Sequence, residues 1–390
     1  MITSIANTAP QTNKYFPALT GLRYVAALMV FFYHLVPELP LRTTTSITWA
    51  IRLIQQGYIG VNIFFVLSGF LITTRYLNRI LMTAPWFWSY LQNRFARIYP
   101  VYLLLTVFTF GVMILRPISN YYEWPATYRA LDKVTVLFLN LTLTRAYFQE
   151  LSLIGVPTAW TLTVEETFYV CAPFLLIGIR RNFHRIYLYP LLFFAIGSAL
   201  VAFCSHYLPY YGLMNNLTFM GSDTFFGRCV EFLVGMALGY WVAHPRRIMQ
   251  PRFCVKATWL GSAGVVVGMI CMAMIEYTFP SQSVTHLVAL RLMTNILLPI
   301  PIAAMIWGLI TEHTWLQRIL STKTFDVLGK GSYGFYLLHL GATDLIFSHF
   351  ITGHWAGRLV GYTLLSIALY KGVEHPLNRR LRYKTLTNQR

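Results

Sequence analysis

Stretches of about twenty residues with no more than one charged side chain recur along this chain, and each is long enough to cross ~30 Å of hydrocarbon as a helix. Where no water can satisfy the backbone, only helices or closed barrels can span a bilayer. The lengths here are helical, so the chain is predicted to be an all-α polytopic integral membrane protein. Ten spans can be marked by apolar length and flanking charge, at residues 18–38, 58–76, 98–115, 160–179, 188–206, 225–243, 257–275, 287–310, 331–350 and 356–373. Composition agrees: 56% of the 390 residues are hydrophobic, 11% are charged, and the mean hydropathy is +0.53. A soluble domain carries about a quarter charged residues.

The formal net charge of +18 raises the question of nucleic acid, and the placement of the charges answers it. Connections 77–97, 180–187, 244–256 and 311–330 hold Arg79, Arg94 and Arg97, then Arg180, Arg181 and Arg185, then Arg246, Arg247, Arg252 and Lys256, then Arg318, Lys323 and Lys330. The tail adds Arg379, Arg380, Arg382, Lys384 and Arg390, whereas connections 207–224, 276–286 and 351–355 contain no Lys or Arg. This alternation predicts cytoplasmic termini and no role for nucleic acid. The N-terminal stretch lacks a basic region followed by a short apolar core and cleavage site, so the first span is expected to be retained.

The outer connection 116–159 is long and basic, with Arg116, Arg129, Lys133 and Arg145. Its apolar piece at 134–144 is too short to span and reads as an interfacial or re-entrant element, a candidate lid. The expected organisation is a single transmembrane domain over residues 1–375 and a basic cytoplasmic tail at 376–390. Cys171, Cys204, Cys229, Cys254 and Cys271 are scattered and odd in number, which suits packing rather than a disulfide framework.

Ionisable residues inside spans are costly and mark interiors, partners or aqueous paths. Arg23 and His34 lie eleven residues apart in the first span, which is an angular offset of about 20° and a rise of ~16 Å on a helix. They therefore share one face, near opposite ends. In the second span Gly57, Gly60, Ser68 and Gly69 permit close approach of a neighbouring helix or of a ligand, and composition alone favours the helix. Arg94 and Arg97 stand at the entry of the third span. Three apart, they can clamp phosphate, or they can be ordinary positive-inside flanks. Glu165 and Glu166 sit more than a turn inside the fourth span, where one carboxylate can orient an imidazole or pair with arginine. Arg228 and Glu231 are spaced to pair with each other. His339 falls in the middle of the ninth span. Metal-ligand spacings, a G-x-S-x-G elbow and nucleotide-binding glycine patterns are not found. Chemistry here is expected to rest on acid–base groups and an activated substrate, with no bound metal.

Together these motifs resemble the membrane-bound acyltransferase 3 family over nearly the whole chain. The resemblance rests on Arg-x10-His (Arg23, His34) and on the glycine-aromatic signature from Gly57 to Phe70. It continues through R-x-x-R (Arg94, Arg97), Trp160 to Tyr169, R-x-x-E-F (Arg228 to Phe232), Ser332 to His339, and Glu374 with Pro376. It implies transfer of an acyl group, most often acetyl, from cytoplasmic acyl-CoA to a hydroxyl of a carbohydrate or lipid-linked saccharide across a bacterial inner membrane. No permanently bound cofactor is implied. Arg94 and Arg97 would hold the CoA phosphates, with Arg23 further in and Ser68 and Gly69 along the donor path. His34 would act as general base or as nucleophile. Glu165, chosen over Glu166 by the motif, would orient or charge-balance His34, and His339 is a further catalytic candidate. Some relatives carry an appended esterase-like domain; with the chain ending at Arg390, a separate periplasmic helper is expected instead. The outer connections 39–56 and 116–159 are expected to shape acceptor choice. A secondary transporter or flippase is the alternative, since it would also place Arg, His and Glu in its spans. No inverted repeat or matching pair of broken spans supports it.

Overall fold

The computed structural model describes residues 15–35, 45–115, 123–244, 256–281 and 283–382. Cys254, Arg116, Arg246, Arg247, Arg252, Lys384 and Arg390, named above, lie outside the described residues.

In chain order the helices are α1 (Pro17–Leu35), α2 (Thr45–Gln55), α3 (Gly60–Tyr76), α4 (Ala84–Leu115), α5 (Ala130–Leu141), α6 (Trp160–Arg181), α7 (Tyr189–Tyr207), α8 (Leu217–Asp223) and α9 (Phe225–Ala243). They continue as α10 (Ala257–Thr278), α11 (Val284–Arg291), α12 (Pro299–Thr311), α13 (Trp315–Leu320), α14 (Lys323–Leu338), α15 (Ala342–Ile346), α16 (Trp355–Leu369) and α17 (His375–Leu381). Among the described residues, eight helical stretches are long and apolar enough to cross a membrane. They are Pro17–Leu35, Thr48–Tyr76, Ala84–Leu115, Pro157–Arg181, Phe183–Tyr207, Leu217–Ala243, Ala257–Thr278 and Val284–Thr311. The chain is an all-α polytopic membrane protein.

The structure changes the last two expected spans. The ninth begins earlier, as α14 of 16 residues, and stops at Leu338. Gly341 has φ +84° and ψ −148°, a conformation that an L side chain resists. A Cβ at this position would also stand 2.6 Å from Pro157 Cδ. His339 therefore lies at a helix end, not in mid-span. The tenth is α16, 15 residues long, running on through a π-helical turn, Tyr370–Glu374, into α17. Arg358, Lys371 and Glu374 interrupt its apolar character. The second span is longer than expected: α2 and a 3-10 turn, Gln56–Ile59, lead into α3 as one helical stretch.

Aromatic packing joins these helices. Phe232 of α9 stacks on Phe65 of α3 and on Phe168 of α6, with ring centroids 4.6 and 4.4 Å apart. Phe335 of α14 meets Tyr24 and Phe31 of α1 edge-on, at 5.7 Å in both cases. α3 crosses α9 closely: a Cβ on Gly69 would stand 2.1 Å from the Phe232 carbonyl, and one on Gly235 would stand 2.0 Å from that of Val66. Only glycine lets the two backbones approach this closely.

α5 runs beside α4. Val136 and Leu139 pack on Phe110 and Met113, and further along Tyr102 and Tyr99 donate to the carbonyls of Asn140 and Leu141 at 2.7 and 2.6 Å. Leu131, Val134 and Phe138 face outward. The return loop is closed internally by the buried Arg145, whose guanidinium donates to the carbonyls of Ile154 and Val156. At the start of α5, Asp132 accepts from the Tyr211 hydroxyl and from the Arg129 backbone N–H, which together hold its carboxyl below the usual range.

Candidate functional site

α1, α3, α4, α6 and α14 surround a cavity with about 770 Å³ of atom-free space, part of it open to the surface. Its charged lining is Arg23 from α1, Arg94 and Arg97 from α4, and Glu165 from α6. The balance is three guanidinium groups to one carboxylate. Ser68, Tyr169, Tyr333 and Tyr336 supply hydroxyls, while Val61, Phe65, Leu71 and Ile98 are among its apolar walls.

Each arginine is placed by its helix. Arg94 is a third of the way along the 32-residue α4 rather than at a bare helix entry. It is buried, donates to the Tyr76 hydroxyl at 3.2 Å, and lies over the rings of Tyr76 and Tyr169 at 5.6 and 6.0 Å. Its Nε is buried without a hydrogen-bond partner. Among the described residues the salt bridges are Arg228–Glu231, Lys330–Asp326 and Arg358–Asp344, and none involves Arg23, Arg94 or Arg97. A cationic surplus in an apolar bundle is costly unless an anion or water enters.

Glu165 accepts a hydrogen bond from the Tyr169 hydroxyl at 3.0 Å, and Tyr169 reaches Ser68 at 3.3 Å. Its cationic neighbours are Arg97, Arg23 and Arg94. The carboxylate therefore belongs to the arginine cluster, and the structure does not bring it to His34. Glu374, buried in the π-helical turn after α16, adds a second carboxylate near Arg23 and Arg97.

His34 meets His339 instead. His34 Nδ1 is 3.1 Å from His339 Nε2 and 3.0 Å from the Val30 carbonyl. A carbonyl oxygen only accepts, so the geometry assigns the proton to Nδ1 and leaves Nε2 of His34 with its lone pair. Phe31 and Phe335 flank His339, each 6.2 Å away by ring centroid, and Tyr336 lies 5.7 Å from it. Tyr336 also lines the cavity, so the arginine cavity and the histidine pair share a wall.

Of the expected donor residues, Arg23, Arg94, Arg97 and Ser68 line one cavity. Gly69 does not: it sits in the contact with α9. Arg228 binds Glu231 through both carboxylate oxygens, and Asn62 donates to the same carboxylate at 2.5 Å. Sequence reasoning gave no site role to Tyr76, Tyr169, Tyr333, Tyr336 and Glu374, although all but Tyr76 stand in its motifs. Tyr169 follows Glu165 by four residues and Tyr336 precedes His339 by three, spacings that place each pair on one helix face.

The model of the acyltransferase 3 family, described as an acyltransferase domain, matches residues 16–370. Among curated relatives, a putative O-acetyltransferase of Staphylococcus aureus is 22% identical over 348 residues, covering 87% of this chain and 52% of the relative. The peptidoglycan O-acetyltransferase OatA of Listeria monocytogenes is 27% identical, covering 85% of this chain and 50% of its own length. The putative peptidoglycan O-acetyltransferase YrhL of Bacillus subtilis is 28% identical, covering 84% and 49%. The chain thus spans about half the length of the curated relatives it matches. No solved structure matches it.

Proposed function

The chain belongs to the acyltransferase 3 family, and on that footing we propose that it transfers an acetyl group from acyl-CoA to a carbohydrate hydroxyl across a bacterial inner membrane. The observation that carries this reading is the cationic cavity of Arg23, Arg94 and Arg97, which shares the Tyr336 wall with the His34–His339 pair. The alternation of basic and uncharged connections favours the arginine end facing the cytoplasm and the His34 end facing outward.

In this reading Arg94 and Arg97 take the CoA phosphates as a pair of planar forks, which match phosphate oxygens better than a lysine would. Arg23 supports the donor further in, and Glu165 keeps the empty cluster from carrying its full charge. The pantetheine arm follows α1, bringing the thioester toward His34. Nε2 of His34 removes the proton from the acceptor hydroxyl as its oxygen attacks the thioester carbonyl, and CoA thiolate departs. The route through an acyl-imidazole uses the same nitrogen as nucleophile. His339 helps to orient His34, its Nε2 sharing with the Val30 carbonyl the one proton on Nδ1. By the names of the Listeria and Bacillus relatives, peptidoglycan glycan is the first acceptor to try.

The test uses purified protein in lipid nanodiscs with acetyl-labelled acetyl-CoA and a glycan panel. Labelled glycan with stoichiometric CoA release is the expected result. Acetyl-CoA that neither binds nor releases CoA overturns the donor assignment, and transport of a glycan without CoA release identifies a flippase.

A further inference from the structure

A second polar cluster lies beyond the cavity, at the His34 end of α1. Tyr33 packs on the His34 ring at 4.8 Å and on Tyr58 at 5.5 Å. Gln56, fully buried, donates to Glu276 at 2.8 Å, and its own carbonyl oxygen has no hydrogen-bond partner. The Tyr58 hydroxyl is likewise buried and unpartnered. Buried polar atoms without partners are uncommon, and each calls for an explanation. One turn before Gln56, Arg52 sits against two rings, 5.7 Å from that of Trp49 and 4.8 Å from that of Tyr277. None of the salt bridges among the described residues uses its guanidinium.

This chemistry differs from that of the donor cavity. Stacked rings hold Arg52 while leaving donors for an anion, in the bidentate manner of an arginine fork. Glu276 gives one oxygen to Gln56 and keeps the other for a hydroxyl. Aromatic faces with amide, hydroxyl and carboxylate groups form a set that binds sugars. The set leads through Tyr58 and Tyr33 to the imidazole that faces the acceptor.

We propose that this cluster is the acceptor subsite, taking an anionic saccharide with its carboxylate or phosphate on Arg52 and a neighbouring hydroxyl on Glu276. The inference rests on the acyl-transfer reading and names the acceptor class within it. Arg52 selects among acceptors and takes no part in the chemical step.

The test compares acceptors matched except for charge. The pairs are uronic-acid oligosaccharides and N-acetylmuramic-acid-containing strands, each with its carboxyl-reduced form, and a phosphorylated oligosaccharide with its dephosphorylated form. Acceptor-dependent CoA release is measured for the wild type and for Arg52→Gln, and acetyl-CoA affinity is measured separately on the same preparations. The wild type should prefer the charged member of at least one pair about tenfold or more, the size of one charge-assisted hydrogen bond. Arg52→Gln should abolish the preference, with donor affinity retained. Equal use of charged and neutral members by the wild type overturns the proposal. A uniform slowing of both members in Arg52→Gln also overturns it, assigning Arg52 to packing or to a lipid headgroup. Acetyl-CoA binding with no charged saccharide accepted overturns the acceptor proposal alone. Loss of acetyl-CoA binding in the wild type overturns the donor reading instead.

Discussion

His34 and His339, 305 residues apart in sequence, bring their imidazoles within 3.1 Å. The proposed reaction gives the two histidines unequal duties, and substitution should separate them. His34→Ala is expected to lower acyl transfer by about 10²- to 10⁴-fold, the usual worth of a general base. His339→Ala removes one orienting hydrogen bond, so it should cost only about tenfold. His339→Gln, whose amide oxygen can still accept, should recover part of that loss. Acetyl-CoA consumption with an acceptor present measures all three, and equal losses at both positions would contradict the division of roles.

Under the proposed donor role, the arginines of the cavity should make donor binding and stability move in opposite directions. Arg97→Met removes a partly buried charge that forms no salt bridge among the described residues and that repels Arg23, so the ligand-free protein should melt at a higher temperature. The same variant should bind acetyl-CoA about tenfold or more weakly, having lost charge-assisted hydrogen bonds. Ligand-induced stabilisation should shrink accordingly. Thermal unfolding in detergent, with and without acetyl-CoA, reads both effects.

Glu165 offers a sharper discrimination because its surroundings are arginines and Tyr169 rather than an imidazole. Glu165→Gln should change the KM for acetyl-CoA while leaving the pH profile of kcat near that of the wild type. A displaced pH profile with an unchanged donor KM would return Glu165 to the service of His34.

At the α3–α9 crossing, Gly235→Leu forces a side chain against the Val66 carbonyl. Overpacking of this kind costs about 1–3 kcal/mol and more where backbone must shift. Detergent-solubilised yield and melting temperature should fall together. A conservative change at the outward-facing Val134 should leave both near their starting values.

Much of this architecture was legible in apolar length and charge placement, because a bilayer tolerates few alternatives. The break after α14 was not. Apolar residues flank the break on both sides within 331–350, and the positive φ at Gly341 shows where the helix stops. Arg23 and His34 could be joined from spacing alone, since both ride one helix. The partner of His34 could not, because helix periodicity is silent about which distant helix packs alongside. Glu165 was drawn toward the wrong neighbour for the same reason. Its spacing to Tyr169 is local, whereas its three arginines arrive from α1 and α4. Gly69 illustrates the converse. A small residue in a motif can admit a ligand or a neighbouring backbone, and here the Phe232 carbonyl fills the space.

The unbroken course of α1 has a mechanical consequence. Arg23 and His34 are carried by a single helix, Pro17–Leu35, so their separation of ~16 Å is set by helical rise alone. Neighbouring helices can tilt or slide to admit a substrate at either face without lengthening that interval. α1 thus acts as a gauge rod within the bundle, and under the proposed reaction a donor whose arm is too short for it should dock without reaching the imidazole.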